Sequence, residues 1–173
     1  LKLMNRKHTV EYYLSVYEKL KKVNSKIEFS SDFIIAYPGE TEKDFDDTMK
    51  LVKKINFINS YSFIFSPRPG TVASHLKLID NNIAIKRLKL IQDELFSYQN
   101  LKNRITENTT VDVLVENKIR NQSKFFGRTE YMTAVIFDGE KHIEGKVVPV
   151  LITSSNQNNL FGVIKFTKNI KAA

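Results

Sequence analysis

The first hundred residues contain three segments in which apolar side chains recur at three- and four-residue spacing. This spacing places them on one face of a helix and predicts helices over residues 9–24, 42–55 and 81–106. Thr9 and Thr41 stand at the expected N-caps, and Asp44 follows Thr41 at capping-box spacing. The expected apolar faces are Tyr13, Val16, Tyr17 and Leu20 in the first helix, Phe45, Met49 and Val52 in the second, and Ile85, Leu88, Ile91, Leu95 and Tyr98 in the third.

Two segments between these helices have the pattern of strands. Residues 27–37 end in a nearly continuous apolar run, which predicts a strand buried on both faces. Residues 61–66 alternate, with Tyr61, Phe63 and Phe65 on one side. Helices and strands that alternate at this spacing indicate βα units with parallel strands. Because two strands do not form an independent sheet of this kind, the region is expected to be part of a larger domain.

The pattern changes after about residue 106. Short alternating runs at 109–116, 131–137, 146–152 and 160–166 are separated by Asn, Gly and Ser. They predict an antiparallel sheet or a small β-barrel, with a domain boundary near residue 104. The predicted fold class is therefore a partial α/β barrel followed by a small all-β barrel.

The composition narrows the possible chemistry. The 173 residues include no cysteine, so disulfides, thiolate catalysis and cysteine-bound metals are excluded within this sequence. His8, His75 and His142 show no metal-ligand spacing, and neither a metal site nor a catalytic residue is predicted. The net charge of +8 suits a polyanionic partner, and it equally suits a composition rich in lysine and asparagine. No secretory signal or membrane-spanning run is evident, and a cytoplasmic protein is expected.

The turn after the second strand reads Ser66-Pro67-Arg68-Pro69-Gly70. The two prolines fix their own φ and favour extended geometry at Arg68. An arginine held in this way suits a carboxylate or phosphate ligand, because its guanidinium binds such groups through two parallel hydrogen bonds. A stiff surface turn with a solvated arginine is the other interpretation, and the turn alone leaves both open.

Four motifs together resemble a known family. They are Met4-Asn5-Arg6, the run from Ser31 to Thr41, the run from Tyr61 to Thr71, and Gly127-Arg128-Thr129-Glu130. The set is similar to the MiaB-type tRNA methylthiotransferases, which are radical S-adenosylmethionine enzymes. The resemblance extends over about residues 1–168, and the run Ser66 to Thr71 favours the branch that modifies tRNA.

The resemblance implies three domains: an N-terminal cluster-binding domain, a central radical domain and a C-terminal TRAM domain. The first two would hold two 4Fe-4S clusters, and the reaction adds sulfur and a methyl group at carbon 2 of an isopentenylated adenosine beside the tRNA anticodon. Residues 1–104 would be the last βα units of the radical domain. Residues 105–168 would be the TRAM domain, an OB-like barrel that holds RNA, and 169–173 a tail.

The chain departs from the family pattern in having none of the six expected cysteines, which would lie upstream of residue 1. This chain alone is therefore expected to be inactive and to need the missing N-terminal part of the enzyme. A truncated RNA-binding module without catalysis and a remnant of a decayed gene are the alternatives. Ala36 also stands where the family usually has glycine, and Val72 where proline is common.

The resemblance also suggests cofactor-binding residues. The end of the first strand, Ala36, Pro38, Gly39 and Glu40, would pack against the adenine of S-adenosylmethionine. Arg6 and Arg68 would be available for its carboxylate, and Arg68 alternatively for a tRNA phosphate. A capped helix start with a tight turn explains the same strand end without a ligand.

A basic segment falls inside the TRAM-like region. Lys118, Arg120, Lys124 and Arg128 are expected in or beside one loop, together with Phe125 and Phe126. Cations for phosphates and aromatic rings for bases are the usual requirements of RNA binding. The alternative is a basic loop whose phenylalanines face the core. The expected partners are tRNA, S-adenosylmethionine and the missing N-terminal part, with no membrane.

Overall fold

The computed structural model describes residues 1–139, 142–165 and 171–172. The first part comprises α1 (Val10–Val23), β1 (Asp32–Ile35), α2 (Glu42–Ile55), β2 (Tyr61–Ile64), a 3-10 turn (Val72–His75) and α3 (Asn81–Thr106). The order of helices and strands agrees with the sequence prediction, and the bounds of the three helices match it closely.

Side chains cap the three helices at their N-termini. Thr9 accepts a hydrogen bond from the Tyr12 N–H at 3.3 Å. Thr41 and Asp44 form the predicted capping box, with the Thr41 N–H donating to the Asp44 carboxylate at 2.8 Å. Asp80 accepts from two N–H groups at the start of α3. These caps satisfy N–H groups that have no partner within the helix.

The strands β1 and β2 are parallel, as predicted, with Asp32 opposite Tyr61 and Ile35 opposite Ile64. The strand predicted over 27–37 is much shorter in the structure, because residues 27–31 make only isolated hydrogen bonds to residues 58–61 and do not continue the ladder. One of these joins the Ile58 N–H to the Phe29 carbonyl at 2.8 Å.

The two faces of this small sheet are covered unequally. Phe33 and Ile35 are buried beneath the helices. Ile34 remains 39% exposed, and its neighbours Tyr61 and Phe63 on β2 are 65% and 55% exposed. The expected burial of β1 on both faces is therefore wrong, because no element among the described residues covers the second face.

The buried face of α3 also differs from the prediction. Ile91 and Leu95 are buried as expected, whereas Ile85 is 52% exposed. The buried residues are Ala84, Arg87, Ile91, Leu95, Gln99 and Asn103. Three of these are polar, and each finds hydrogen-bond partners that a sequence pattern does not reveal.

The second part is a closed barrel. Its strands are β3 (Thr110–Lys118), β4 (Lys124–Thr129), β5 (Ala134–Asp138), β6 (Lys146–Ser155) and β7 (Asn159–Ile164). They are hydrogen-bonded in the order β3-β4-β5-β7-β6, and β6 pairs again with β3. All neighbours are antiparallel except β5 and β7. A five-stranded Greek-key barrel of this kind is OB-like.

Four barrel strands lie where alternation predicted them, with shifted ends, and β4 was not predicted. The strand predicted over 160–166 reaches Ile164, and its last residue, Phe166, lies outside the described residues. Residue 168, the predicted end of the domain, also lies outside them, as does most of the tail 169–173. A two-residue strand, β8 (Lys171–Ala172), pairs with β6.

Two glycines allow the barrel strands to approach closely. A Cβ on Gly127 would overlap the carbonyl oxygen of Leu114, and one on Gly162 would overlap that of Leu151. The interior is filled by alternating apolar side chains. Val113, Val135, Val148, Val150 and Ile152 are fully buried.

Helix α3 joins the two parts, and the predicted boundary at residue 104 falls inside it. Hydrogen bonds between buried amide groups also connect the two parts. The Gln99 side chain accepts from the Asn59 N–H at 2.7 Å and donates to the Asn103 side chain at 2.9 Å. Asn103 in turn donates to the carbonyl oxygens of Asn156 and Gln157 in the loop between β6 and β7. We call this chain of amides, from Asn59 to Gln157, the amide relay.

Candidate functional site

The loops that follow β1 and β2 lie side by side. The Phe65 N–H donates to the Ile35 carbonyl at 2.8 Å. The rings of Tyr37 and Phe65 pack edge to face with centroids 4.9 Å apart. The carboxyl ends of parallel strands are the usual place for ligands in α/β folds, so this strand end is the candidate cofactor site.

The turn at this strand end is tight. The Glu40 N–H donates to the Tyr37 carbonyl at 2.8 Å, around Pro38 and Gly39. Gly39 has a φ of +87°, which favours glycine, and the space where its Cβ would stand is open. Ala36 and Pro38 are buried. A ligand at this turn would therefore meet backbone atoms of residues 36–39 rather than the side chains of Ala36 and Pro38.

The Glu40 carboxylate, predicted to contact the cofactor, is engaged within the protein. One oxygen accepts the Ala36 N–H at 3.1 Å, and the other pairs with Arg87 at 2.7 Å. Burial raises the pKa of Glu40, although Ala36 and Arg87 both act to lower it. The structure therefore gives Glu40 a role in holding the loop. The sequence prediction missed Arg87, whose only signal was a cation on the apolar face of α3.

The two predicted arginines have different surroundings. Arg68 is exposed, and its carbonyl accepts from both the N–H and the hydroxyl of Thr71, which fixes the turn. No carboxylate lies within 4.0 Å of its guanidinium among the described residues. Arg6 lines a separate groove of about 610 Å³ that N-terminal residues alone form. Of the two, Arg68 lies at the end of a strand.

The predicted basic loop is a hairpin. Lys118 ends β3, Lys124 begins β4, and Arg120 lies in the turn between them. All three side chains are exposed, and none pairs with a carboxylate in the part of the chain that the structure describes. In OB folds, this loop and the outer face of the second and third strands bind oligonucleotides.

Phe125 does not have the position that RNA stacking requires. It is 1% exposed and packs against Phe137 inside the barrel, with ring centroids 6.2 Å apart. Its expected contact with a base is wrong, because alternation along β4 turns it inward. The same alternation turns Lys124, Phe126 and Arg128 outward.

Arg128 stands at the opposite end of β4 from the hairpin turn. Its Nε lies 3.0 Å from a Glu116 carboxylate oxygen, and its guanidinium lies over the Phe126 ring at 5.3 Å. A second nitrogen donates to the Met132 carbonyl at 3.1 Å. The basic residues therefore do not form one loop: three lie at the hairpin, and Arg128 is held by neighbours.

Arg128 also lines a groove of about 1110 Å³ between the two parts of the molecule. Tyr61 and Phe63 lie on the other wall, with their rings nearly parallel at a centroid distance of 6.4 Å. The amide relay fixes the two walls relative to one another, together with a hydrogen bond from the Asn59 side chain to the Tyr131 carbonyl at 2.8 Å. Sequence patterns did not predict this groove, because its walls come from distant segments.

Comparisons with known proteins found a family model that matches each of the two parts of the chain. The TRAM domain model matches residues 104–165, and the radical SAM superfamily model matches residues 1–52. The chain is 60% identical over all of its 173 residues to the tRNA-2-methylthio-N(6)-dimethylallyladenosine synthase of Pelagibacter ubique (strain HTCC1062). It is 43% identical over 166 residues to the enzyme of the same name from Wolbachia pipientis subsp. Culex pipiens (strain wPip), and 42% identical over 166 residues to that from Rickettsia typhi.

The matches cover 100%, 94% and 95% of this chain, but 39%, 38% and 37% of the three relatives. The chain thus spans about two fifths of the length of these curated relatives.

The closed barrel and the strand-end loops, together with the two model matches, define a chain with a TRAM domain and a segment of the radical SAM superfamily. Within that class, the chain is similar to the MiaB-type tRNA methylthiotransferases and matches the C-terminal part of their length. The predicted resemblance is confirmed. No helix in the described ranges is long and apolar enough to cross a membrane.

Proposed function

We propose that this chain is the C-terminal portion of a tRNA-2-methylthio-N6-dimethylallyladenosine synthase. The observation that supports this most directly is 60% identity over the whole chain to a relative with that name. In this proposal, residues 1–104 provide the last βα units of a radical barrel. The barrel of β3–β7 is the RNA-binding domain, and a tRNA substrate implies a cytoplasmic location.

The strand-end loops fit a nucleoside cofactor through their backbone. The open space above Gly39 and the exposed guanidinium of Arg68 suit a ligand with a flat base and a carboxylate. When bound here, S-adenosylmethionine would supply the radical chemistry of the family. Residues 36–39 would hold its adenine, and Arg68 its carboxylate. Arg6 would be available for the same carboxylate, because the N-terminal segment reaches the turn, where the Leu3 carbonyl accepts from the Tyr37 hydroxyl at 3.2 Å.

The two 4Fe-4S clusters would be held by the rest of the enzyme, since this sequence has no cysteine. The chain alone is then expected to bind RNA without modifying it. The missing N-terminal part would be its principal protein partner, joined at the open face and edges of β1 and β2. A truncated RNA-binding module remains the second candidate, because the barrel is closed while the radical portion is not.

A chimera tests whether the chain is a competent portion of the enzyme. The upstream part of the Pelagibacter relative is joined in frame to residues 1–173 and expressed in a strain that lacks the activity. We expect 2-methylthio-isopentenyladenosine in digested tRNA, detected by mass spectrometry. The intact relative is the control. A chimera that folds and holds its clusters, yet leaves tRNA unmodified, would favour the RNA-binding module or the remnant.

The barrel is proposed to bind tRNA through Lys118, Arg120 and Lys124, with Arg128 as a contributor from the groove. These residues present positive charge on the hairpin and outer strands that OB folds use for nucleic acid. Phosphate contacts release counterions, so each one adds roughly 0.7–0.9 to the slope of log affinity against log salt.

We expect Lys124→Ala to lower that slope by about one contact in salt titrations of tRNA binding by the whole chain. The matched control is Lys19→Ala, an exposed lysine on α1 outside the barrel. Equal slopes for the wild type and both variants would place the RNA elsewhere. Arg128→Ala is less decisive, because it also leaves Glu116 without its partner.

A further inference from the structure

Residue 36 has an unusual backbone conformation for its type. Ala36 has a φ of +59° and is 4% exposed. Left-handed backbone is rare for residues other than glycine, because the Cβ approaches the following carbonyl oxygen. The conformation turns the chain out of β1 and into the Pro38-Gly39 turn. A strained residue of this kind persists only where its surroundings hold it in place.

The Glu40 side chain holds residue 36. Its carboxylate reaches back across the turn and accepts the Ala36 N–H at 3.1 Å. The turn also fixes Glu40 itself, whose N–H donates to the Tyr37 carbonyl. The left-handed conformation at residue 36 is thus linked to the orientation of one carboxylate.

Arg87 on α3 fixes that carboxylate. One of its terminal nitrogens lies 2.7 Å from the Glu40 carboxylate and 3.2 Å from the Glu40 carbonyl, and the other lies 2.8 Å from Glu42. The guanidinium also lies over the Phe45 ring at 5.4 Å. Four contacts on the turn and the start of α2 therefore come from one side chain.

The buried position of Arg87 carries a desolvation cost. It is 6% exposed and occupies the buried face of α3 between Ala84 and Ile91. Its Nε is buried without a hydrogen-bond partner in the described residues. A buried ion pair often stabilises a fold no more than apolar side chains of similar size. An apolar side chain at position 87 would pack α3 equally well. The contact between Arg87 and Glu40 therefore needs an explanation other than the packing of the helix.

We propose that Arg87 is a positioning residue for the candidate cofactor site. Through Glu40, it holds residue 36 in the left-handed conformation and thereby presents the backbone of residues 36–39 at the open strand end. The inference rests on the proposed function, in which this backbone receives the adenosine group of the cofactor. Arg87 itself does not touch the ligand.

A double-mutant cycle on the full chain separates positioning from packing. The variants are Arg87→Met, Ala36→Gly and the two combined. Hydrogen exchange of the peptide spanning residues 33–41 reports on the turn, and peptides from α2 and α3 report on general stability. Glu40→Gln is a second probe in case Arg87→Met does not fold, because its amide oxygen still accepts from residue 36 while the charge that Arg87 pairs with is removed.

We expect Arg87→Met to accelerate exchange in residues 33–41 more than in α2 or α3. Adding Ala36→Gly to Arg87→Met should slow that exchange again by roughly five- to thirtyfold, because glycine removes the left-handed penalty of about 1–2 kcal/mol that Arg87 and Glu40 oppose. The accelerated exchange of Glu40→Gln should be slowed by Ala36→Gly in the same way. Failure of Ala36→Gly to slow the exchange, or an acceleration spread uniformly over the helices, would overturn the inference.

Binding of S-adenosylhomocysteine to the same variants provides a readout that packing alone would not change. We expect Arg87→Met to weaken binding under conditions in which circular dichroism shows the variant to be folded, and Ala36→Gly to restore much of the binding. If the wild-type chain does not bind the probe, the proposed cofactor role of this half fails in the isolated chain. The positioning inference is still decided by hydrogen exchange, so the two failures are distinguishable.

Discussion

The barrel and the α/β part of this chain differ in whether their strand edges are paired. In the barrel, each of the five strands pairs on both sides, and β6 closes the ring onto β3. In the α/β part, β1 and β2 pair only with each other among the residues that the structure describes, and both outer edges are open there. One face of this pair is also open, with Tyr61 and Phe63 more than half exposed.

The difference shows which part of the chain is complete as a unit. The pairings that close the ring of β3 to β7 all lie within residues 110–164, so the sequence contains all that closure requires. An open strand edge and an exposed aromatic face usually require a covering element. The α/β part therefore has strand edges and a face that no described element covers, and it is connected to the barrel by α3, which carries the amide relay.

The largest expected effect concerns independent folding. We expect residues 105–173 to fold cooperatively when expressed alone, and residues 1–104 to aggregate or remain loosely packed. Circular dichroism and urea unfolding of the two fragments measure this directly. In the whole chain, limited proteolysis should cut before residue 105 first. Uniform protection of both parts would contradict the comparison and would show that two strands and three helices suffice.

A matched pair of isoleucine truncations should show a smaller contrast. Ile152 lies in β6 with no exposed surface, whereas Ile34 lies on the open face of β1. We expect Ile152→Ala to lower the free energy of unfolding by about 2–5 kcal/mol, because it leaves a cavity in a closed core. Ile34→Ala should cost about 1 kcal/mol or less. Urea unfolding of the whole chain gives both values, and similar losses would mean that the face of Ile34 is covered in solution.

The smallest expected effect is confined to the α/β part. Thr41→Ala removes the N-cap of α2 and should cost about 1 kcal/mol there, with no change in the barrel. Residue-resolved hydrogen exchange would show faster exchange in α2 and unchanged rates in β3–β7. Equal loss of protection in the barrel would show that the two parts unfold together.

The same cap predicts a pH dependence. Hydrogen bonds from the side chain and backbone of Thr41 lower the pKa of Asp44 below its ordinary 3.8. A lowered pKa stabilises the folded state above the unfolded value, and this contribution is lost as the pH falls from about 3.8 through the lower folded pKa. Protection of α2 should therefore decrease over this acid range, and Thr41→Ala should reduce that decrease.

Local signals account for what the sequence predicted well. The three helices follow from apolar spacing and from caps at Thr9 and Thr41, which act within one or two turns. The parallel pairing of β1 and β2 follows from the helix between them. Most barrel strands follow from alternation. The strand β4 was not predicted, because its basic residues led to the prediction of a loop. Its side chains nevertheless alternate, with Phe125 inward and Phe126 outward.

The sequence predicted which segments form the candidate sites, but it did not predict what each residue contacts there. The strand-end loops and the basic hairpin lie where motifs placed them. Glu40, however, was expected at the ligand and instead binds the Ala36 N–H and Arg87. That contact joins residues 47 positions apart, and no local pattern encodes it. Arg128 was likewise expected at a phosphate, and the structure pairs it with Glu116 on β3.

The sequence by itself determined the helices, the parallel pair, the change to short strands after about residue 106 and the resemblance to a family, because periodicity, caps and motifs act over short separations. Only the tertiary structure decided which faces are covered, which cations are already paired and how the two parts meet. Those properties depend on contacts such as Arg87 with Glu40 and Asn103 with Gln157, whose partners lie about fifty residues apart. Burial and pairing are properties of assembled surfaces, and a surface forms only when distant segments pack together.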